Sequence, residues 1–397
     1  MKPIKPAERT NNIEYAIRDI VVVADRVKAT GKKILPLNIG DPCKFDFHTP
    51  DELIEIVTKA MHDNYNGYSP SSGIEEAVEA IKKEAIELKG IKNIQNIFVT
   101  TGASEAIEIC MTALVNRGEN ILIPSPGYPL YSAIVPKIES VFNTYYLNEE
   151  NNWYPDIDDI VSKINDKTRG IVIINPNNPT GAVYSKEILL ELIEVAKKYN
   201  LVIFADEIYD KLILDGKKNI SIASLTDEVP VVTFNGLSKS FLAPGWRIGW
   251  AIISGPKELL EDYIEGAQKI VRARLSANHP LQFAIKPALE GVCKHLPETL
   301  KKLSERGEIT YRRLNSIKNI SCVKPEGAFY AFPKLNIPID DKEWVIKLLE
   351  ETGVLCVHGS GFGQREGTKH FRVVFLPQND VLNQAYDKIE EFMNKYF

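Results

Sequence analysis

Lys239 lies in Asn235-Gly236-Leu237-Ser238-Lys239-Ser240, with Arg247 eight positions on, between apolar runs at 231–234 and 248–253. Lysine is normally a surface residue. One framed by hydroxyls between two buried-strand patterns suits a desolvated amine, which is a nucleophile toward an aldehyde. The arginine suits a phosphate. Alone, the stretch reads equally well as a surface turn between two strands.

Other residues with chemical potential stand where apolar runs end, which is where ligands sit in open α/β sheets. Thr101-Gly102-Ala103-Ser104 follows the run at 97–100 and opens a helix, so its small residues leave backbone N–H groups for a phosphate. Asn175-Pro176-Asn177-Asn178-Pro179-Thr180-Gly181 follows the run at 171–174. Its prolines and glycine fix the loop and can hold an asparagine amide toward a ligand. Asp206 follows five apolar residues, where a carboxylate needs a partner: a helix end, an arginine or a protonated ring nitrogen. Tyr209 is close enough in sequence to reach the same pocket, and Tyr128, in Pro126-Gly127-Tyr128-Pro129, can lay its ring on a planar ligand. Arg372, inside the apolar run at 370–375, suits bidentate capture of a carboxylate. Each of these has an ordinary structural reading as a cap, a turn, a packed ring or an ion pair. Together they fit pyridoxal phosphate: a lysine for its aldehyde, an aspartate for its ring nitrogen, an asparagine and a tyrosine for its ring oxygen. Backbone N–H groups and an arginine would take its phosphate.

The elements that must position these residues follow from periodicity. A helix is expected over 13–30, a short strand over 34–39, and a capping box at Thr49-Pro50-Asp51-Glu52 opening a helix to 63. A third helix is expected over 74–88, after which strand and helix patterns alternate, with strands at 97–100, 121–123, 171–174, 201–205, 231–234 and 248–253. The fold class is α/β: a large domain over 48–290 around a mostly parallel central sheet, and a smaller α+β domain from 1–47 with 291–397.

The chain has 397 residues, 44% hydrophobic and 25% charged, with net charge −5, as in a soluble two-domain enzyme. No basic block favours nucleic acid or an anionic membrane, and no apolar run has the ~20 residues of a spanning helix. The five cysteines are scattered and never spaced as CxxC, and the six histidines lack ligand spacing, so no metal site is expected and the cytoplasm is the expected location. Gly359-Ser360-Gly361-Phe362-Gly363 leads to a charged turn and a strand rather than a helix, which argues against a dinucleotide site.

From Leu37-Asn38-Ile39-Gly40-Asp41-Pro42 to His370-Phe371-Arg372 the chain resembles the class I aminotransferases, enzymes of the fold-type I pyridoxal-phosphate-dependent transferase fold. The carrying motifs are Asn-Pro-Asn-Asn-Pro-Thr-Gly, Ala-Asp-Glu-Ile-Tyr and Ser-Lys-Ser…Gly-Trp-Arg-Ile-Gly. The resemblance implies that Lys239 forms the Schiff base with the cofactor and then shuttles the proton. Asp206 would pair with the ring nitrogen, Asn178 and Tyr209 with the ring oxygen, and Tyr128 would stack on the ring. Gly102, Ala103, Ser104, Ser238 and Arg247 would bind the phosphate, and Arg372 with Gly40 the substrate carboxylate. It further implies a homodimer with shared active sites, in which Tyr68 reaches the neighbouring subunit's phosphate.

Many members carry a serine three positions before the lysine, where this chain has Gly236; Ser238 or Ser240 is expected to compensate. Segments at 14–19, including Tyr15, and at 38–47, 235–239 and 357–363 look most like alanine aminotransferases. Tyr15 and Arg274 are accordingly candidate substrate residues, Arg274 for a distal carboxylate. The implied reaction is a ping-pong transfer of an amino group from an L-amino acid, alanine above all, to a 2-oxo acid, giving pyruvate and glutamate from alanine and 2-oxoglutarate. Aspartate or a broader donor range, a pyridoxal-phosphate lyase, and a cofactor-sensing regulator are the competing readings. The regulator would need a DNA-binding domain for which residues 1–47 are too short.

Overall fold

A computed structural model describes residues 3–13, 16–291 and 294–397. The six runs between 97 and 253 that read as strands join two further strands in one eight-stranded sheet. Its strands are β1 (Ile94–Thr100), β2 (Asn120–Ser125), β3 (Val141–Asn148), β4 (Tyr154–Pro155), β5 (Thr168–Ile174), β6 (Val202–Asp206), β7 (Val231–Gly236) and β8 (Gly249–Ser254). Their spatial order is β1-β8-β7-β6-β5-β2-β3-β4. The pairings from β7 through β6, β5 and β2 to β3 are parallel. The edge strand β4 is antiparallel to β3, and β8 is antiparallel to both β7 and β1.

The continuous apolar runs are explained by burial on both faces. Successive residues of β5 alternate between two cores. Ile171 and Ile173 pack toward Leu189 and Leu192 of helix Lys186–Tyr199, while Val172 and Ile174 pack toward Ile107 and Leu260 of helices Ala103–Leu114 and Lys257–Ala273.

Residues before and after this layer form smaller sheets. Leu35–Pro36 pairs in parallel with Val354–Leu355. Phe371–Val374 is the centre of a three-stranded sheet between Tyr330–Ala331 and Val357–His358. Helices Leu296–Ser316, Asp341–Thr352 and Asn379–Tyr396 accompany them, together with the amino-terminal helix Ala16–Ala29.

One expectation needs correction. The helix Asp51–His62 follows Pro50 with no side-chain cap, so Thr49 closes no capping box. Proline takes the cap position, and the Thr49 hydroxyl instead donates to the Leu242 carbonyl at 2.6 Å, tying this helix to the lysine loop. Strands β3 and β4 were not legible: β3 opens on two exposed residues and is mixed in polarity, its partner β2 supplying the register, and β4 is only two residues long.

Candidate active site

Strands β1, β2, β5, β6 and β7 end at one edge of the sheet, and β8, being antiparallel, begins there. The turns after the first five and before the last therefore converge. Gly102 adopts φ +82°, and a Cβ on it would lie 2.4 Å from Nη2 of Arg247. A Cβ on Gly249 would lie 2.2 Å from the Ala103 nitrogen. Only glycine at both positions lets Arg247 sit against the first turn of helix Ala103–Leu114. Arg247 is itself left-handed at φ +52°, with Nη1 donating to the Pro244 carbonyl at 3.1 Å. The result is an anion cradle of helix N-terminal amides and a guanidinium.

Lys239 reaches this edge from the loop after β7, and its Nζ donates to the Gly40 carbonyl at 2.8 Å. Burial pulls its pKa down to about 8, against the nearby Asp41 carboxylate and with help from the Arg247 and Arg372 guanidiniums. That leaves a useful fraction of free amine near neutral pH.

Asp206, the last residue of β6, is buried. Burial pushes its carboxyl up to about 6, although one oxygen accepts from the Tyr131 hydroxyl at 3.0 Å and the other from the Ile208 N–H at 3.2 Å. Behind it, Lys89 bridges Glu207 at 3.0 Å and Asp210 at 2.5 Å, and Asp210 accepts from the Asn235 amide at 2.8 Å. The two further carboxylates of this segment are thus neutralised from outside the cavity.

Arg372 is only 1% exposed, its guanidinium lying between the rings of Tyr330, at 4.8 Å, and Phe362, at 4.6 Å. Nη1 donates to Asn178 Oδ1 at 3.2 Å and Nη2 to the Asn38 carbonyl. Asn178 is held by its loop, where Asn177 Oδ1 accepts from the Thr180 N–H and hydroxyl at 3.2 and 2.9 Å. The Tyr209 hydroxyl is 2.9 Å from that of Tyr330. A Cβ on Gly40 would lie 2.1 Å from the Tyr330 hydroxyl oxygen, so glycine is required there.

One cavity of about 980 Å³ is lined by Gly40, Ala103, Ser104, Tyr128, Asn178, Asp206, Tyr209, Ser238, Lys239, Arg247 and Arg372, together with Tyr330. Gly102 stands directly behind Arg247. Of the two serines offered in place of the one missing at 236, Ser238 lines the cavity, whereas Ser240 is buried and is not part of its lining. Two predicted residues of the described chain are not brought in. Tyr68 is 84% exposed. Arg274 donates to the carbonyls of Ser71 and Val99, at 3.1 and 2.6 Å, and lies 3.7 Å from Glu105. Tyr15 lies outside the described residues.

Tyr131 and Tyr330 were missed by sequence reasoning. Tyr131 falls three residues after Tyr128 on the first turn of helix Pro129–Lys137, and a buried tyrosine hydroxyl needs a polar partner. That requirement could have pointed toward Asp206. Tyr330 sits in an apolar alternating strand, which reads as packing.

The donor set fits pyridoxal phosphate. Asp206 is a carboxylate whose anion would be relieved by a ring N–H, Lys239 is a partly neutral amine, and the Gly102 turn with Arg247 is shaped for a phosphate. Comparison with known proteins agrees. Residues 32–389 match the family described as "Aminotransferase class I and II". The chain is 40% identical over its full length to the glutamate-pyruvate aminotransferase AlaA of Escherichia coli (strain K12), covering 99% of that protein. It is 39% identical to an alanine aminotransferase of Mycobacterium tuberculosis (strain H37Rv), over 98% of this chain and 92% of that one. The structure of an alanine aminotransferase from Pyrococcus furiosus superposes with a TM-score of 0.95 at 42% identity, covering 98% of this chain and all of that one. The chain belongs to the class I and II aminotransferases, and its cofactor is pyridoxal phosphate.

Proposed function

We propose that this enzyme transfers the amino group of L-alanine to 2-oxoglutarate, giving pyruvate and glutamate. Two observations support the donor: the similarity to proteins named for glutamate–pyruvate and alanine transamination, and a cavity wall of Val21, Val22, Ile39 and Leu130 that suits a methyl side chain. The observation that carries transamination is the presence of a partly neutral lysine and a buried arginine in one cavity.

Bound pyridoxal phosphate supplies the electron-accepting ring. Asp206 keeps the ring nitrogen protonated, Asn178 and Tyr209 hydrogen-bond the ring oxygen, and Tyr128 stacks on the ring. The amides of Gly102, Ala103 and Ser104, with Ser238 and Arg247, hold the phosphate. Arg372 and the Gly40 backbone orient the substrate carboxylate. The Lys239 amine would take the Cα proton and return it to C4′, the carbon on the far side of the substrate nitrogen, a task suited by its lowered pKa. In this reading residues 48–290 hold the cofactor, and 1–47 with 291–397 bring the substrate clamp, of which Arg372 is the main part.

The enzyme acts as a homodimer in which Tyr68, exposed in the single chain, contacts the phosphate bound to the other subunit. Arg274 remains the candidate for reading 2-oxoglutarate or glutamate, and Tyr15 a candidate substrate-binding residue. A cytoplasmic location is supported by free Cys43, Cys110, Cys322 and Cys356. Among the described residues no helix is long and apolar enough to cross a membrane.

The test is the absorbance spectrum of the purified protein with pyridoxal phosphate. L-Alanine should abolish the band of the lysine-linked cofactor and 2-oxoglutarate should restore it. A response to L-aspartate but not L-alanine would replace the donor and leave the chemistry standing. No linked cofactor at all would overturn the reading.

A further inference from the structure

We infer that Tyr330 is a positioning residue that sets the protonation of the cofactor by donating its hydroxyl proton to Tyr209. Tyr330 is 2% exposed, and its hydroxyl lies 2.9 Å from that of Tyr209. Distance alone leaves the direction of this bond open. The direction follows once Tyr209 has a second task. A tyrosine hydroxyl carries a single proton. If Tyr209 gives it to the ring oxygen, as the proposed function requires, Tyr209 is left only as an acceptor toward Tyr330, so Tyr330 must donate. Burial holds the Tyr209 phenol well above its ordinary pKa, so it keeps its proton and remains a donor.

The surroundings fix this relay. Gly40 leaves room for the Tyr330 hydroxyl, which stands 2.1 Å from where a side-chain carbon would begin. The Tyr330 ring lies 4.8 Å from the Arg372 guanidinium. The Gly40 carbonyl also accepts from Lys239 at 2.8 Å. One side chain therefore touches the carboxylate clamp, the lysine anchor and the ring-oxygen donor. Hydrogen bonds in series polarise one another, strengthening each by roughly 10–30%. A stronger donor on the ring oxygen makes that oxygen a poorer holder of the proton it shares with the linked Lys239 nitrogen. The relay thus lowers the pH at which the bound cofactor loses that proton.

The inference rests on the proposed function, and its test separates the two. The readout is a pH titration of the bound cofactor's absorbance in the wild type, Tyr209→Phe, Tyr330→Phe and the double variant. Tyr209→Phe should move the midpoint up by roughly 1–2 pH units, the worth of a hydrogen bond to a charged acceptor. Tyr330→Phe keeps the ring beside Arg372 and should move it up by about 0.1–0.6 pH unit. The double variant leaves neither hydroxyl unpaired and should match Tyr209→Phe, because the effect of Tyr330 passes through Tyr209. A Tyr209→Phe shift with none for Tyr330→Phe would sink the relay and leave the function intact. So would additive shifts. A wild type that binds no titrating cofactor would overturn both.

Discussion

Replacing Asp206 with asparagine should stabilise the cofactor-free protein at neutral pH while crippling the loaded enzyme. Asparagine keeps the shape and the contacts. Its oxygen accepts from the Ile208 N–H, and its amide can donate to the Tyr131 hydroxyl, which accepts in turn. Only the buried charge is removed. Burial raises the carboxyl from 3.8 to about 6. The folded protein therefore binds more protons than the unfolded chain between those two values, and stability is lost as pH rises through that window. At about 1.4 kcal/mol per pH unit the full loss is about 3 kcal/mol above pH 6, of which about 2 falls between pH 4.5 and 7.5. The assay is urea unfolding of cofactor-free wild type and Asp206→Asn across that range. Relative to wild type, the variant should gain about 2 kcal/mol from the acid to the neutral end, with equal denaturant slopes in both proteins. Adding pyridoxal phosphate should reverse the order, because the charge of an ionised Asp206 stabilises a protonated ring nitrogen and a neutral amide does not. A difference that is flat with pH, or that runs the other way, would refute the claim that an unrelieved carboxylate is kept in the site for the cofactor.

Arg372→Leu should cut kcat/KM for both alanine and 2-oxoglutarate by roughly 10²–10⁴, the worth of two charge-assisted hydrogen bonds to a carboxylate. The resting absorbance of the bound cofactor should persist, and its loss would instead mark Arg372 as a structural residue. Gly236→Ser, which places a serine where the family resemblance leads one to expect it, should not improve phosphate binding. A Cβ there would lie 2.6 Å from the Ile248 carbonyl and 2.9 Å from the Gly249 Cα, both backbone, so a loss of about 1–3 kcal/mol is expected in thermal melts. Tighter cofactor binding at unchanged stability would show that the β7–β8 turn yields.

The sheet and most of the site were legible because the signals were local. Four buried residues followed by a rigid asparagine loop mark the end of β5, and five followed by an aspartate mark the end of β6. What was not legible depends on direction and on distance in space. The run at 248–253 reads as one more buried strand, and nothing in its composition says that it returns antiparallel. Yet that reversal starts β8 at the ligand edge and lets Arg247, two residues before it, reach over Gly102. Had β8 run parallel, Arg247 would sit at the far end of the sheet. The anion cradle therefore rests on the direction of one strand, and the two glycines at its crossing, Gly102 and Gly249, are the local trace of it. Tyr131 and Tyr330 were missed for the complementary reason. Each lies in an apolar setting whose pattern explains its ring, and only its hydroxyl, aimed at Asp206 or Tyr209 from another element, has a task that periodicity does not register. A buried tyrosine is thus a standing question about a partner, and in this site both answers lead to the residues proposed to hold the cofactor ring.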